Sequence, residues 1–427
     1  MRFLFIHQNL PGQFTHLIQA LLQAGHEVLG ICERHTLARC LQLHPGIRVM
    51  AYTVPPAPDR DKIHGYLRDV DAQVRRGQQV VRCLRELKKN GLVPDLIVAH
   101  PGWGESLFVW DVLPHVPLIN YFEFFFANQG GDVNFDPEFP TSLDGLCRMT
   151  MRNSMHLSAL ENCTAGVSPT PWQRSRFPLT HQAKITLLHE GVDTDAIRPD
   201  PNACWTWQGR EYRKGQPIVT YVGRGLEPYR GFHIFMRMLP KLLRRHPDVR
   251  VIVVGGDDVS YGQRHASGRS WREVLLDEIR TGSPATPGLT DAELERVHFT
   301  GKVPHKDLHA IFQVTTAHLY LTYPFVLSWS LLEAMSCGAL VVASRTAPVE
   351  DVIVDGGNGL LVNFFDQEDI LARLGQVLAD PARFEAVRQA ARTSVVNRFD
   401  LKRVCLPAGV KFLMETAGRS VAPSSSV

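Results

Sequence analysis

Short, continuously apolar runs recur along the chain, and longer amphipathic stretches separate each run from the next. The runs of the first half are Phe3 to Ile6, Val28 to Ile31, Leu96 to Ala99, Leu118 to Phe122, Ala165 to Val167 and Ile185 to Leu188. Because these runs do not alternate between polar and apolar residues, they predict strands that are buried on both faces, as in parallel sheets. Strands that alternate with helices predict a doubly wound α/β sheet.

The same pattern starts again after residue 217. The later runs are Ile218 to Val222, Val249 to Val254, Val297 to Thr300, Ala317 to Leu321, Leu340 to Ala343 and Leu360 to Val362. Residues 199–217 are polar and rich in turn-forming residues, which predicts a linker. We therefore predict two tandem Rossmann-like domains, residues 1–198 and 217–398, with an interdomain cleft. The helical pattern near the end predicts that residues 399–420 form a helix that packs back on the first domain.

Charge and cysteine content exclude several classes of protein. The formal net charge is +3, from 46 basic and 43 acidic residues, so charge alone does not indicate a nucleic-acid partner. The eight cysteines include no C-x-x-C pair, and scattered thiols are typical of a reducing compartment. The N-terminal M-R-F-L-F-I-H-Q has too short an apolar stretch for a signal peptide. A cytoplasmic protein that binds no nucleic acid is the expectation.

Two segments of the second domain place charged residues after predicted strands. Gly223 and Arg224 follow the strand Ile218 to Val222, and Arg230 comes before the next helix. Guanidinium groups hold phosphate oxygens bidentately, so the two arginines are predicted to bind a diphosphate. The alternative is a solvated loop with ordinary surface arginines.

The second of these segments opens a helix at Ser328, Trp329 and Ser330, with Glu333 one turn further on. Free amides at a helix start can bind phosphate, and a carboxylate beside them can accept hydrogen bonds from sugar hydroxyls. The alternative is that Glu333 only stabilises the helix N-terminus.

The first domain offers two candidate residues at strand ends. Gly12 lies in the turn after the first strand, where a glycine lets a substrate approach the backbone. His100 ends the strand Leu96 to Ala99 and could act as an acid, a base or a hydroxyl ligand. The alternatives are a plain strand–helix turn and a structural histidine.

An ordered set of motifs in the second domain resembles the donor half of retaining glycosyltransferases of family 4, which have the GT-B fold. The matching residues are Gly223-Arg224, Arg230-Gly231, Glu333, Cys337-Gly338, Val341 to Ser344, H-E-G-V-D-T at 189–194 and V-H-F-T-G-K-V-P at 297–304. The first domain is similar more weakly, through Gly12 and His100. The resemblance therefore spans most of the chain.

The resemblance implies a function and a role for each motif residue. It implies a hexosyltransferase that moves a sugar from a nucleotide-diphosphate sugar to a glycan or lipid-linked acceptor, in cell-surface polysaccharide or glycoconjugate synthesis. It places Arg224 and Arg230 on the phosphates, Glu333 on the ribose and Val303 against the base. It also implies that Gly12 lets the first domain approach the phosphates and that His100 positions the sugar or acceptor.

Two departures from the family pattern keep other functions open. The family lysine is Arg230 here, and the first glutamate of the family pair, which helps to hold the donor sugar, falls on Phe325. A nucleotide-sugar 2-epimerase of the same fold and a non-catalytic nucleotide-sugar-binding homologue are the alternatives. The Asp-x-Asp triplets lie outside the strand context of a metal site, so we predict neither a metal nor another cofactor.

Residues 60–90 carry nine basic and four acidic side chains. A basic helix in a near-neutral protein predicts contact with the cytoplasmic membrane face or with a lipid-diphosphate acceptor. The alternative is a solvated helix face.

Overall fold

The computed structural model describes residues 1–56, 59–283 and 286–419. Contacts divide the chain into two compact units. Unit 1 is Met1–Gly191 together with the segment that begins at Leu401, and unit 2 is Val192–Asp400. The family resemblance also predicts that the first domain binds the acceptor and the second the nucleotide-sugar donor, and this assignment stays a prediction.

Unit 1 is built on a parallel sheet of seven strands in the order β3-β2-β1-β4-β5-β6-β7. The strands are β1 (Arg2–Ile6), β2 (Glu27–Glu33), β3 (Arg48–Tyr52), β4 (Leu96–Ala99), β5 (Leu118–Tyr121), β6 (Ala165–Ser168) and β7 (Ile185–Leu187). Six of these strands are predicted from the sequence. The edge strand β3 is not, because only Tyr52 of its five residues is buried and its apolar signal is weak.

The sheet of unit 1 is covered on both faces. Its helices are α1 (Thr15–Gln23), α2 (Leu37–Leu43), α3 (Arg68–Lys89), α4 (Val109–Val112), α5 (Leu143–Glu161), α6 (Pro171–Ser175) and α7 (Leu179–Gln182). Leu4 and Ile6 of β1 pack in one apolar cluster, and Phe3 and Phe5 pack in another. Successive side chains of a strand point to opposite faces, so both clusters are sheet-facing cores. This explains the continuously apolar run.

Unit 2 has a parallel sheet of six strands in the order β14-β11-β10-β15-β16-β17 and two short antiparallel pairs. The strands are β8 (Cys204–Trp207), β9 (Arg210–Arg213), β10 (Ile218–Gly225), β11 (Arg250–Gly256), β12 (Gly282–Ser283), β13 (Thr286–Pro287), β14 (Val297–Gly301), β15 (Ala317–Tyr320), β16 (Val341–Ser344) and β17 (Leu360–Val362). All six strands of the parallel sheet match the predicted runs.

Eight helices are described in unit 2. They are α8 (Phe232–Arg245), α9 (Trp271–Thr281), α10 (Asp291–Leu294), α11 (His305–Val314), α12 (Trp329–Ser336), α13 (Ala347–Glu350), α14 (Gln367–Ala379) and α15 (Glu385–Phe399). Val341 and Ala343 of β16 share an apolar cluster with Leu331 of α12 and Val395 of α15. Across the described ranges, no helix of either unit combines the length and the apolar character needed to cross a bilayer.

The prediction of a linker at residues 199–217 is wrong. The segment contains the hairpin β8–β9, whose Trp205 and Tyr212 are buried in a cluster with Ile218 and Ile252 of the unit 2 sheet. Gln208 and Gly209 both have positive φ angles, as a two-residue hairpin turn requires. The turn residues that suggested a linker belong to a folded hairpin instead.

The C-terminal helix α16 (Leu406–Ala417) packs in unit 1, as predicted. Its Leu413 lies in the same apolar cluster as Phe3 and Phe5, and a β-carbon on Gly409 would lie 3.0 Å from Leu17 of α1. A single π-helical turn at Leu401–Cys405 precedes it. The predicted helix therefore starts later than residue 399, and its predicted last residue, Ser420, lies outside the described residues.

Candidate functional site

Both parallel sheets reverse their strand order beside their first strand. In unit 1 the reversal falls between β1 and β4, and in unit 2 it falls between β10 and β15. Ligands of open α/β sheets bind outside the carboxyl ends of the strands at such a switch point. The loops that follow these four strands contain most of the residues predicted from the sequence.

The loop after β10 begins with a close approach between two backbones. A β-carbon on Gly225 would lie 2.3 Å from the carbonyl oxygen of Asp258, so a glycine is required there. Gly223 and Arg224 form the end of the same strand. Arg224 is exposed, and none of the described residues forms a hydrogen bond or ion pair with its guanidinium.

Arg230 lies in the same loop but is nearly buried, with 6% of its surface exposed. Its Nη1 atom donates to the Thr322 hydroxyl at 2.8 Å and to the Val326 carbonyl at 3.2 Å. Its guanidinium also lies over the Tyr261 ring, 5.1 Å from the centroid. The predicted phosphate ligand therefore holds the loop that follows β15.

Glu227, between the two arginines, is fully buried. Its carboxylate accepts hydrogen bonds from three successive backbone amides, those of Ser260 at 3.0 Å, Tyr261 at 3.2 Å and Gly262 at 2.8 Å. Sequence reasoning missed this residue. The available signal is a charged residue between the glycines of G-R-G-L-E-P-Y-R-G, at a strand end where the chain must turn.

The loop after β15 leads into helix α12. The Ser328 hydroxyl caps this helix by accepting from the amide of Ser330 at 3.3 Å, and the Ser328 amide donates to the Tyr320 hydroxyl at 3.0 Å. Trp329 is 47% exposed at the helix start. Because Tyr320 also lies 3.4 Å from Arg230, the helix start is tied to the loop after β10.

Glu333 is one turn into α12, with 12% of its side chain exposed. Its nearest polar partners are the ring nitrogens of His309, at 3.9 Å, and of His305, at 4.0 Å, both on α11. Among the described residues its carboxylate forms no hydrogen bond. Val303, just before α11, packs against the cluster of the β8–β9 hairpin.

An aromatic group occupies the position where the family has its first glutamate. The Phe325 ring lies 5.4 Å from that of Tyr229 and 4.9 Å from that of Tyr261. Since Tyr261 also stacks under Arg230, the aromatic side chains fill space beside the arginine.

The switch point of unit 1 contains histidines. His100 is 3% exposed, stacks on Trp103 at 4.3 Å, and lies 5.3 Å from the ring of His7. Gly12 has a φ of +49°, and a β-carbon there would lie 3.1 Å from the His7 ring. The structure thus brings Gly12 and His100 together through His7, which sequence reasoning missed although it also ends a strand.

Hydrogen bonding fixes the state of the His100 ring. Its Nδ1 atom accepts from the amide of Gly102 at 3.1 Å, so the proton of the neutral ring lies on Nε2. That Nε2 atom is buried, has no hydrogen-bond partner among the described residues, and lies 3.6 Å from the Glu123 carboxylate. His100 therefore presents an N–H donor.

Burial shifts the pKa values of the neighbouring groups. Burial and the adjacent His100 lower the pKa of His7 to about 3, so His7 is neutral. Burial raises the pKa of the Glu105 carboxyl to about 7, against the opposing charge of Arg76. Two of the titratable groups at the switch point of unit 1 thus carry less charge than they would in water, while Arg76 and Glu123 lie beside them.

A second feature of unit 1 is an apolar pocket, partly open to solvent, between α1 and α16. Phe14, Leu17, Phe412 and Leu413 are among its lining residues, and the hydrogen-bonded pair Tyr121–Glu190 lies at its wall. No sequence motif indicated it.

Comparisons with known proteins agree with this architecture. Residues 24–197 match the model of the glycosyl transferase family 4 group, and residues 216–380 match the model of glycosyl transferases group 1. A GDP-mannose-dependent alpha-(1-6)-phosphatidylinositol monomannoside mannosyltransferase of Mycolicibacterium smegmatis is 32% identical over 52% of this chain and 54% of its own length. The chain thus spans about half of that relative. A glycogen synthase of Mycobacterium tuberculosis is 24% identical over 96% of this chain and 92% of its own length.

Solved structures share the fold over nearly the whole chain. Sucrose-phosphate synthase from Thermosynechococcus elongatus has a TM-score of 0.69 and 18% identity, and covers 98% of this chain and 100% of its own. Anabaena HepE in complex with UDP and glucose has a TM-score of 0.64 and 17% identity, and covers 97% of this chain and 100% of its own. The predictions of family and fold are confirmed: the chain belongs to the family 4 group of glycosyltransferases, and its units have the GT-B fold.

Proposed function

We propose that the chain is a retaining, metal-independent hexosyltransferase that takes a sugar from a nucleotide-diphosphate sugar. The observation that supports this most is the switch point of unit 2. There, the exposed Arg224 follows β10, while the capped start of α12 and the Glu333 carboxylate follow β15. This set offers a positively charged side chain, a helix N-terminus and an acceptor for hydroxyl groups, which suit a nucleotide-diphosphate sugar.

Arg224 and Arg230 have different roles in this proposal. Arg224 binds the diphosphate directly, because its guanidinium is exposed and unpaired among the described residues. Arg230 contributes its fixed charge and holds the loop that ends at Ser328 through Thr322 and Val326. The arginine side chains supply the positive charge that a leaving diphosphate requires, so the proposed mechanism needs no metal ion.

Glu333 is proposed to accept the ribose hydroxyls. The structural alternative was that it stabilises the start of α12, but Ser328 fills that role. A carboxylate that is largely buried and accepts no hydrogen bond from the described residues is prepared for a ligand with two donors. Val303, nearby, is proposed to contact the base.

His100 is proposed to position the transferred sugar or the acceptor. Its Nε2–H forms no hydrogen bond with the described residues, since the Glu123 carboxylate beside it is 3.6 Å away, and it can bond to a sugar hydroxyl whose charge changes in the transition state. Gly12, beside His7, has no side chain, so the phosphates can approach its backbone. Retention of configuration is proposed from the family resemblance.

Donor and acceptor are proposed as classes. The relatives are named for GDP-mannose dependence and for a complex with UDP and glucose, so both donors belong in a first panel. Phe325 and its aromatic neighbours replace the carboxylate that the family uses on the sugar, which favours a different sugar contact. The acceptor is a glycan or a lipid-linked glycan, and the apolar pocket of unit 1 supports the lipid-linked class.

We also propose a cytoplasmic location with contact to the inner membrane face. The basic helix α3 supports this only in part, because some of its basic side chains turn inward. Arg75 pairs with Asp71 at 2.8 Å, and Arg76 donates to the Trp103 carbonyl at 3.0 Å. Arg85 and Lys89 are exposed and remain available to anionic headgroups.

Calorimetry with UDP-, GDP-, ADP- and dTDP-sugars tests the proposed donor site. Arg224→Ala should weaken binding of the preferred donor by roughly 10- to 150-fold, since a hydrogen bond to a charged group contributes about 1.5–3 kcal/mol. Arg210→Ala, which removes an exposed arginine on the hairpin of the same unit, is the matched control and should bind as the wild type does.

Equal donor affinity of Arg224→Ala and the wild type would contradict the proposed phosphate site. An assay that follows both nucleotide release and sugar transfer separates the remaining functions. A non-catalytic homologue, which Phe325 favours, binds the donor without releasing nucleotide. An epimerase releases nucleotide and needs no acceptor.

A further inference from the structure

Two histidines and one carboxylate converge beside the proposed ribose position. His305 and His309 are four residues apart on α11, so they lie on the same face of the helix. Glu333 projects toward them from α12, and one potential ligand atom from each of the three residues lies within 4.8 Å of the other two. The proposed function uses only Glu333.

The atom types suit a metal ion, and the ligand atoms are somewhat farther apart than they would be around a bound ion. Zn²⁺ binds imidazole nitrogen and carboxylate oxygen at about 2.0–2.2 Å in tetrahedral geometry, which puts ligand atoms about 3.3 Å apart. The Glu333 oxygen lies 3.9 Å from His309 Nε2 and 4.0 Å from His305 Nδ1. Small side-chain rotations bring three ligands to bonding distance, and a fourth position stays open to water.

The cluster lacks the hydrogen bonds that would mark it as structural. The Nε2 atom of His309 is buried and has no hydrogen-bond partner among the described residues. The distances from both rings to Glu333 exceed those of a hydrogen bond. Cys337 is not part of this group of ligand atoms, and its Sγ atom lies 3.8 Å from the carbonyl oxygen of His309.

We propose that His305, His309 and Glu333 form a binding site for a divalent transition metal of the Zn²⁺ class, and that the bound metal inhibits the enzyme. The metal occupies the carboxylate that would otherwise accept the ribose hydroxyls, so metal and donor compete. The competition rests on the proposed function of Glu333, whereas the metal site rests on the three side chains alone. Nothing in this proposal makes the metal part of the reaction.

Titration of the full chain with Zn²⁺ alone, followed by calorimetry, tests the site. The wild type should bind one Zn²⁺ that His305→Ala and His309→Ala each weaken by about tenfold or more, because each variant removes one of three ligands. His181→Ala is the matched control, since His181 also lies beside a glutamate, Glu161 at 3.4 Å, but has no second histidine. It should leave Zn²⁺ binding unchanged.

Co²⁺ provides a readout that does not depend on affinity. Its visible absorption bands should indicate nitrogen and oxygen ligands without thiolate charge transfer, and both histidine variants should lose these bands. Thiolate bands, or Zn²⁺ binding that is equal in the wild type and in the His305→Ala/His309→Ala double variant, would overturn the site. Since His305 is exposed, its variant should fold even if His309→Ala does not.

Competition is measured with the nucleotide diphosphates UDP and GDP in the presence and absence of Zn²⁺. Saturating Zn²⁺ should weaken nucleotide binding by roughly tenfold or more in the wild type and not in the double variant, and EDTA should restore it. Nucleotide affinity that is independent of Zn²⁺ would overturn the competition. If neither nucleotide binds while Zn²⁺ does, the proposed function of Glu333 and the competition fail, but the metal site stands.

Discussion

The two units place very different side chains at the same topological position. At the β1–β4 switch of unit 1, His7 and His100 lie in contact with Trp103 and are almost fully buried. At the β10–β15 switch of unit 2 the charged groups differ: Arg224 is exposed, Glu227 is held by backbone amides, and Glu333 is largely buried without a hydrogen bond from the described residues. The comparison teaches that the shared fold fixes where a ligand binds, whereas the loop residues decide whether the ligand contacts a charged side chain or an uncharged hydrogen-bond donor.

The largest effect in this comparison should come from Glu227. Glu227→Ala leaves three backbone amides without their acceptor and should destabilise unit 2 by about 3 kcal/mol, the upper value for hydrogen bonds to a charged group. Hydrogen exchange of peptides from unit 2, measured beside those of unit 1, should show the loss in unit 2 only.

Glu368→Ala is the control for that experiment. Glu368 is also an ionic partner, of Lys241 and Arg245, but it is exposed, so its removal should hardly change exchange. If unit 2 of Glu227→Ala exchanges at the wild-type rate, other contacts hold the segment from Ser260 to Gly262. The proposed contrast between the two switch points would then be wrong.

His100→Ala should separate chemistry from donor binding. The variant loses the Nε2–H donor of unit 1 but none of the residues of unit 2, so kcat should fall by roughly 100-fold, within the range of one hydrogen bond to a charged group. Donor affinity, measured by calorimetry, should stay within about twofold.

His115→Ala is the matched control, because His115 is an exposed histidine of the same unit. If His100→Ala loses donor binding at unchanged stability, unit 1 also contributes to donor affinity. The proposal that unit 2 binds the donor while His100 of unit 1 affects only kcat would then be wrong.

The effect that is smallest at neutral pH concerns acid stability. Burial, with the nearby charges of Arg152 and His100, lowers the pKa of His156 on α5 to about 3, from about 6.5 in the unfolded chain. The unfolded chain therefore binds more protons between these values, and stability falls as the pH drops through this range, by at most about 1.4 kcal/mol per pH unit. His156→Leu should make this dependence shallower in unit 1.

Hydrogen exchange of α5 at pH 6.5, 5.5 and 4.5 measures the change. Peptides of β15 are the internal control, because His318 there also has a pKa lowered to about 3 by burial and is unchanged in the variant. An α5 that loses stability with the same pH slope in both proteins would contradict the assignment.

The sequence predicts elements whose signal is local. Most strands of both parallel sheets are rich in apolar residues because helices cover both faces, and the half-exposed edge strand β3 is the one that the sequence does not predict. The sequence does not predict the hairpin β8–β9, because its turn-forming residues give a stronger signal than its two short strands. Trp205 and Tyr212 of these strands are nevertheless core residues.

The sequence predicts which kinds of residue lie at the strand ends, but it does not predict which other residues they contact. Arg224 and Glu333 lie where a ligand can reach them. That Arg230 bonds to Thr322, 92 positions later, depends on the pairing of β10 with β15. His305 follows the V-P motif directly, yet its distance from Glu333 depends on how α11 packs on α12.

The position of α16 has a consequence for the order in which the chain is completed during synthesis. Most of unit 1 is synthesised before unit 2, but its apolar cluster around Phe3 and Phe5 also includes Leu413. Unit 2 has all of its residues once Asp400 has been made. The unit that is begun first is therefore finished last, and until then the part of its apolar cluster that α16 covers lacks that helix.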